Sequence, residues 1–149
     1  MSTINVKIKL LRDGVQMPEY ATDGSAAIDL RCAADEDVTI APGERKLIPT
    51  GIAIAPETSG VVAILAARSG LSIKHGITAT NGIGVIDSDY RGEISVSLIN
   101  VSDVPYTIAR GERMAQLMFI PVLHANLIVS DELDSTARGA GGFGSTGKK

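Results

Sequence analysis

Residues 84 to 100 read GVIDSDYRGEISVSLIN, and this stretch decides the fold class. Val85 and Ile86 carry an apolar run into Asp87, and beyond the bend Ile94, Val96 and Leu98 alternate with Glu93, Ser95 and Ser97. Alternation with a period of two marks a half-buried strand. Between the two runs Asp87, Asp89, Tyr90 and Gly92 crowd onto one tight bend. Asp and Ser are ordinary turn residues because their side chains bond their own backbone. The bend also has a chemical reading. A carboxylate at a strand end can be held rigidly enough to orient a water, and a ring three residues on can wall off one side of a pocket.

The same period recurs outward along the chain. Ile4, Val6, Ile8 and Leu10 alternate with Asn5, Lys7 and Lys9, and Val61, Ala63 and Leu65 make a third run. Asp13-Gly14, Asp23-Gly24, Pro42-Gly43, Thr50-Gly51, Ser59-Gly60, Asn81-Gly82 and Arg110-Gly111 read as turns. Ala115 to Val129 is almost wholly apolar, long enough for two strands broken near Pro121. Leu71 to His75 is the one stretch read as a short helix. Many short strands with regular turn signals predict an all-β sandwich or barrel. IAPGER at 40–45 recurs as IARGER at 108–113, too short for a repeat architecture and read as one turn used twice before a strand.

With 149 residues the chain fits one domain, a size that buries roughly 70% of the unfolded surface. Hydrophobic residues make up 44% but aromatics only 3%, so the core is expected from Val, Ile, Leu and Ala. The formal net charge of -3 argues against nucleic-acid binding, which needs a basic face. It leaves room for an anionic small ligand held by a few arginines. The single cysteine, Cys32, cannot form an internal disulfide and suits a reducing compartment. The N-terminal MSTINVKIKL lacks an apolar signal core, and no apolar run approaches the ~20 residues of a membrane span. The expectation is a cytoplasmic protein with no membrane partner. From Ser130 the chain turns polar, and five of the last eleven residues are Gly. That composition reads as a mobile tail, residues 130–149, on a core of residues 1–129. Arg138, Phe143, Ser145 and Thr146 stand among those glycines, and a plain linker has no use for the ring.

Five segments in order are GSAAIDL at 24–30, AARSGLSIKHGI at 66–77, GVIDSDYRG at 84–92, GERMAQL at 111–117 and RGAGGFGSTGK at 138–148. Together they resemble the trimeric dUTP diphosphatase (dUTPase) family over nearly the whole chain, with the third and fifth the most specific. The resemblance implies a jelly-roll-like β-barrel or sandwich subunit, a homotrimer with active sites shared between subunits, and hydrolysis of dUTP to dUMP and pyrophosphate. Such an activity limits uracil in DNA and supplies dUMP for thymidylate synthesis. The nearest rival of similar fold is a dCTP deaminase, which needs a Glu base where Asp87 and Tyr90 stand. A rival of another class is a non-catalytic nucleotide-binding or regulatory trimer.

The family's roles carry over residue by residue. Asp87 is the base that activates water for attack at the α-phosphorus. Arg68, Ser69, Gly70 and Gln116 meet the phosphates, chemistry that suits a guanidinium, a hydroxyl and a close backbone approach. Arg113 reads as a paired structural charge. Asn81 reads uracil O4 and N3–H with one amide, and backbone groups of Gly84, Val85 and Ile86 complete the pocket in a β-hairpin. Tyr90 lies beneath the deoxyribose. Asp29 holds waters of a phosphate-bound Mg²⁺, which keeps several waters and needs no protein cage. Arg138, Gly144, Ser145 and Thr146 close over the γ-phosphate while Phe143 stacks on the base. Ala67 departs from the family's usual Pro and loosens the approach to Arg68 without removing a functional group, and Ala27 departs from its usual Gly, so the loop holding Asp29 is expected to differ. Neither His75 nor His124 reads as a ligand.

Overall fold

The structure, a computed structural model, describes residues 3–142. Eleven strands and one helix follow in order: β1 Val6–Leu10, β2 Ile28–Arg31, β3 Val38–Ile40, β4 Arg45–Pro49, β5 Ile52–Pro56, β6 Val61–Ala67, α1 Ser69–His75, β7 Ile77–Ala79, β8 Ile83–Ile86, β9 Ser95–Asn100, β10 Tyr106–Ile108 and β11 Arg113–Pro121. They form an all-β jelly roll. A four-stranded sheet runs β2-β11-β6-β8, a three-stranded sheet runs β4-β9-β7, and β1-β5 and β3-β10 pair separately, all antiparallel.

The alternating runs became strands as read. In β6 Val61, Ala63 and Leu65 are buried and Val62 and Ile64 less so; Ile94, Val96 and Leu98 are buried at β9. Ile28, Leu117, Leu65 and Gly84 make one cross-strand row on the inner face of the four-stranded sheet. The large fully buried side chains are Leu, Ile, Val and Met with the amide of Asn100, in keeping with the scarcity of aromatics. Buried Cys32 has its thiol pKa pushed up chiefly by desolvation.

The repeated hexapeptide is one turn used twice, and each copy is clasped the same way. Glu44 N–H bonds Ala41 O while Glu44 Oε2 accepts from Ala41 N–H (both 2.9 Å). Glu112 does the same with Ala109, at 3.0 and 2.9 Å. Asn100 exchanges two backbone bonds with the first turn, through Gly43 and Glu44, and Cys32 exchanges two with the second, through Gly111 and Glu112. The Asn100 amide then donates to Ile40 O and Val104 O and accepts from Ser102, so this buried polar group is satisfied. Gly76, at φ +66, ends α1 in the left-handed conformation, and a Cβ there would press within 2.8 Å of the Ser102 backbone.

Two expectations are corrected. β7 and β8 do not form a hairpin, since β7 pairs with β9 and β8 with β6. Thr80–Gly82 is instead a corner between sheets, turned sharply by Gly82 at φ +71 and by Ile83 N–H bonding Asn81 O at 2.8 Å. The apolar stretch after Ala115 yields one strand rather than two. Pro121 carries no N–H for the ladder, and Val122 makes the last bond, to Gly60 O at 3.0 Å. Among the described residues no strand lies beside 122–129, so Leu123, Leu127, Ile128 and Val129 stand 81–99% exposed. No helix among the described residues is long and apolar enough to cross a membrane.

Tyr106 stacks on His75 with ring centroids 4.4 Å apart and donates its hydroxyl to Glu112 Oε1 at 2.8 Å. Desolvation first, then the Glu112 hydrogen bond and charge, push its phenol up from 10.0 to about 12. The fold therefore favours the protonated ring. This contribution is whole below the unfolded value near 10 and is lost as pH rises through about 12. Denaturant melts should show stability falling across that window, with Tyr106→Phe flattening the fall and removing one late phenolate absorbance step.

Candidate active site

β11 positions the site, hydrogen-bonded to β2 on one flank and β6 on the other. Strict alternation back from outward-facing Gln116 would aim Arg113 into the core. The register instead shifts between Arg113 and Ala115, so that Arg113 faces Arg31 and Ala115 faces Leu30. Such a bulge re-aims side chains. Met114 and Ala115 both turn inward and are fully buried, while Arg113 and Gln116 share the outer face.

Gln116 pairs in register with Asp29 on β2 and Ala66 on β6, and Ala66 with Ile83 on β8. Arg68 follows β6 with extended backbone and caps the start of α1, leaving Ser69 and Gly70 exposed in its first turn. The Asp29 side chain is 12% exposed and lies between two arginines. Arg113 Nη1 donates to Oδ2 at 3.0 Å. Arg68 Nε stands 3.1 Å from Oδ1, an ion pair without a formed hydrogen bond, because Oδ1 is buried and accepts none among the described residues. Arg68 Nη1 donates instead to the Arg113 carbonyl at 3.0 Å. Arg31 lies directly across from Arg113 and donates to Gly111 O at 2.8 Å. Like charges directly opposite are destabilising. Two guanidiniums on one carboxylate, with the Arg31 guanidinium on the same strand pair, leave an excess of positive charge that suits an anion. Two clefts of about 290 and 450 Å³ adjoin Asp29 and Arg31, roofed by the segment from Arg12 to Ala21.

The bend at 87–92 lies elsewhere. Asp87 follows β8, an edge strand, and is exposed; Tyr90 N–H closes the turn onto Asp87 O at 3.1 Å. The Tyr90 ring folds back over Gly92 and donates to Glu93 O at 3.2 Å. A Cβ on residue 92 would stand 2.6 Å from the ring's Cζ, so only Gly admits this packing. Glu93 anchors the bend, accepting from both Arg12 Nη2 (2.7 and 2.8 Å) and Gly51 N–H (2.8 Å). Asn81 is exposed at the corner before β8.

The structure thus brings Asp29, Arg68 and Gln116 together and leaves Asp87 and Tyr90 apart from them. Asp87 lies four residues beyond Ile83, about 13 Å along the strand, and three strand spacings, about 14 Å, from Asp29. Arg138 bonds only Gly141 O, in its own exposed segment, among the described residues. Phe143, Gly144, Ser145 and Thr146 lie outside the described residues. The sequence reading passed over Arg31 and the Arg12–Glu93 pair. Arg31 stands two residues after Asp29, so period two already placed it on the same face; nothing in the sequence pairs Arg12 with Glu93.

The family model described as dUTPase matches residues 13–147. A deoxyuridine 5'-triphosphate nucleotidohydrolase of Desulfitobacterium hafniense is 48% identical over 99% of both chains. The Staphylococcus bacteriophage 80alpha dUTPase solved with dUpNHpp is 29% identical, with TM-score 0.87 over 96% of this chain and 98% of that one. A variant dUTPase from phage phi11 of S. aureus, solved to show coordination of a structural Mg(II) ion, is 25% identical, with TM-score 0.79 over 88% and 99%.

Asp29→Asn leaves Arg68 and Arg113 without their carboxylate. It should cost about 1–2 kcal/mol of stability after discounting for the half-exposed Arg113, and phosphate should restore more of it than chloride at equal ionic strength. Urea denaturation in the two salts measures both.

Proposed function

The chain belongs to the dUTPase family, and from that membership we propose how its residues hydrolyse dUTP, cleaving it to dUMP and pyrophosphate. The observation that carries the reading is the outward row of Asp29 and Gln116 with Arg68 beside it, a cationic hydrogen-bonding patch built by three adjacent strands.

Arg68, the exposed first turn at Ser69 and Gly70, and the Gln116 amide grip the phosphates. Arg68 suits this because Nη2 makes no hydrogen bond among the described residues while Nε and Nη1 face inward. Asn81 and the backbone of Gly84, Val85 and Ile86 read uracil. Their support is that β8 is an edge strand, so one side of its backbone has no ladder partner among the described residues. Tyr90, locked over Gly92, walls the deoxyribose and leaves no room for a 2′-hydroxyl. Asp87 takes a proton from water as the water oxygen bonds to the α-phosphorus and the bond to the pyrophosphate oxygen breaks. A free carboxylate is a weak base, so positioning must supply much of the rate. Arg138, Phe143, Gly144, Ser145 and Thr146, on the tail of residues 130–149, close the site over the core of residues 1–129.

Mg²⁺ fits this donor set. Asp29 Oδ1, beside Arg68 Nε, is a buried oxygen that accepts no hydrogen bond among the described residues, able to accept from a metal-bound water. No group of three or more His, Cys, Asp or Glu among the described residues is disposed to hold a metal, which suits an ion carried by the phosphates. When bound it would neutralise charge on the phosphates, with Asp29 holding its waters.

Asp87 and Asp29 stand about 19 Å apart by strand geometry, yet a water on Asp87 must touch the phosphates beside Asp29. Two halves that cannot meet in one subunit support a site shared within a homotrimer. Exposed apolar side chains point the same way: Ile83 and Val85 on the outer sheet face, and Leu123, Leu127, Ile128 and Val129 beyond it. In the cell such an enzyme, cytoplasmic on this reading, limits uracil in DNA and supplies dUMP for thymidylate synthesis.

With Mg²⁺, dUTP should yield pyrophosphate while dTTP, dCTP and UTP remain nearly intact. Asp87→Asn should keep dUTP binding by calorimetry but lose at least ~10² in turnover; binding lost together with turnover would make Asp87 structural.

The shared site is tested separately. Asp87→Asn and a truncation of residues 137–149 are unfolded together and refolded into mixed trimers. Activity well above either parent is expected. Mixed trimers confirmed by mass spectrometry but as inactive as their parents would refute sharing.

A further inference from the structure

We propose that Arg113 is a positioning residue for the phosphate site: it fixes Asp29, and through Asp29 and its own carbonyl it fixes the guanidinium of Arg68. The inference rests on the reading that Arg68 meets the phosphates.

Three contacts close a ring. The Arg113 guanidinium holds Asp29 Oδ2 at 3.0 Å, Asp29 Oδ1 draws Arg68 Nε to 3.1 Å, and Arg68 Nη1 returns to the Arg113 carbonyl at 3.0 Å. Arg113 is the outermost member, its side chain 44% exposed against 26% for Arg68 and 12% for Asp29. Its guanidinium therefore contributes little to the core. What it does is keep the carboxylate turned toward Arg68. A guanidinium on a long stem has many rotamers, and one held at two nitrogens keeps the rest of its planar fork aimed outward. Arg31 reinforces the arrangement. It lies across the strand pair from Arg113 and takes its own acceptor at Gly111 O, so it does not compete for Asp29. Its charge also pushes Arg113 toward the carboxylate. Without Arg113, Asp29 can swing to Arg31, leaving Arg68 tethered only by the carbonyl.

Four variants of the full chain test this with dUTP as substrate and dUpNHpp as the binding probe: Arg113→Gln, Arg113→Lys, Arg68→Gln and the double Arg68→Gln/Arg113→Gln. Arg113→Gln should melt as the parent does and raise both KM and the dUpNHpp Kd about tenfold, the scale of one charge-assisted hydrogen bond. Its kcat should fall far less, and Arg113→Lys should recover most of the affinity because an ammonium can still hold Asp29. The decisive result is the double variant, which should bind no more weakly than Arg68→Gln alone, since the effect of Arg113 passes through Arg68. Affinity unchanged in Arg113→Gln would overturn the proposal. So would a tenfold loss that persists undiminished in the Arg68→Gln background, which would make Arg113 a direct contact. Arg68→Gln with unaltered KM would overturn the phosphate role of Arg68 itself, a separate failure that removes the premise.

Discussion

One extra residue in β11 sets the character of the candidate site. The strand is locked between β2 and β6, so its face assignments cannot drift. A one-residue slip in a two-sided strand would reverse every side chain. The bulge near Met114 confines that reversal to one point. Beyond it Leu117 and Ala115 keep their places in the core, and before it Arg113 is turned out to meet Asp29. Without the bulge, either a guanidinium would be buried without a partner or Met114 would be lost from the core. Both are costly. Core packing and the charged cluster are therefore settled by the same local irregularity.

The barrel supports this irregularity through its two matched turns. In each, a glutamate three residues on caps the first N–H, and a residue from another strand end exchanges two backbone bonds with the turn. At the second turn that residue is Cys32, the continuation of β2, and the turn leads directly into Arg113. The start of β11 is thus held to β2 before the bulge as well as after it. Arg31 and Arg113 are kept face to face despite their like charge.

Part of the outer surface is apolar and exposed. Ile83 and Val85 stand exposed on an edge strand, and Leu123 to Val129 extend past Pro121 with no neighbour among the described residues. Exposed edges and apolar runs of this size are normally covered. On the proposed reading, the Asp87 bend and the Asp29 cluster serve one site although strand geometry separates them. The two lie at diagonal corners of one sheet, so the proposed trimer interface would both cover the apolar surface and unite them.

Much of this protein could be read from its residues alone. Period-two alternation identified the strands at 61–65 and 94–98 and their buried faces, because each side chain's face follows from its position in the run. The Gly-containing dipeptides located turns, and the hexapeptide pair identified one turn used twice. The five segments identified the family, and with it the reading of Asp87 and Arg68. Other features depended on which strands meet. Alternation cannot reveal a bulge, because a single added residue is defined only against a partner strand. Composition cannot tell that 122–129 lacks a neighbour, because an apolar stretch reads the same paired or unpaired. Asn81-Gly82 reads as a turn, and the fold makes it a corner between sheets, since β7 pairs with β9 and β8 with β6. The ring of Asp29, Arg68 and Arg113 joins residues 29, 68 and 113. Their pairing follows from strand order and register, and only the folded chain sets those.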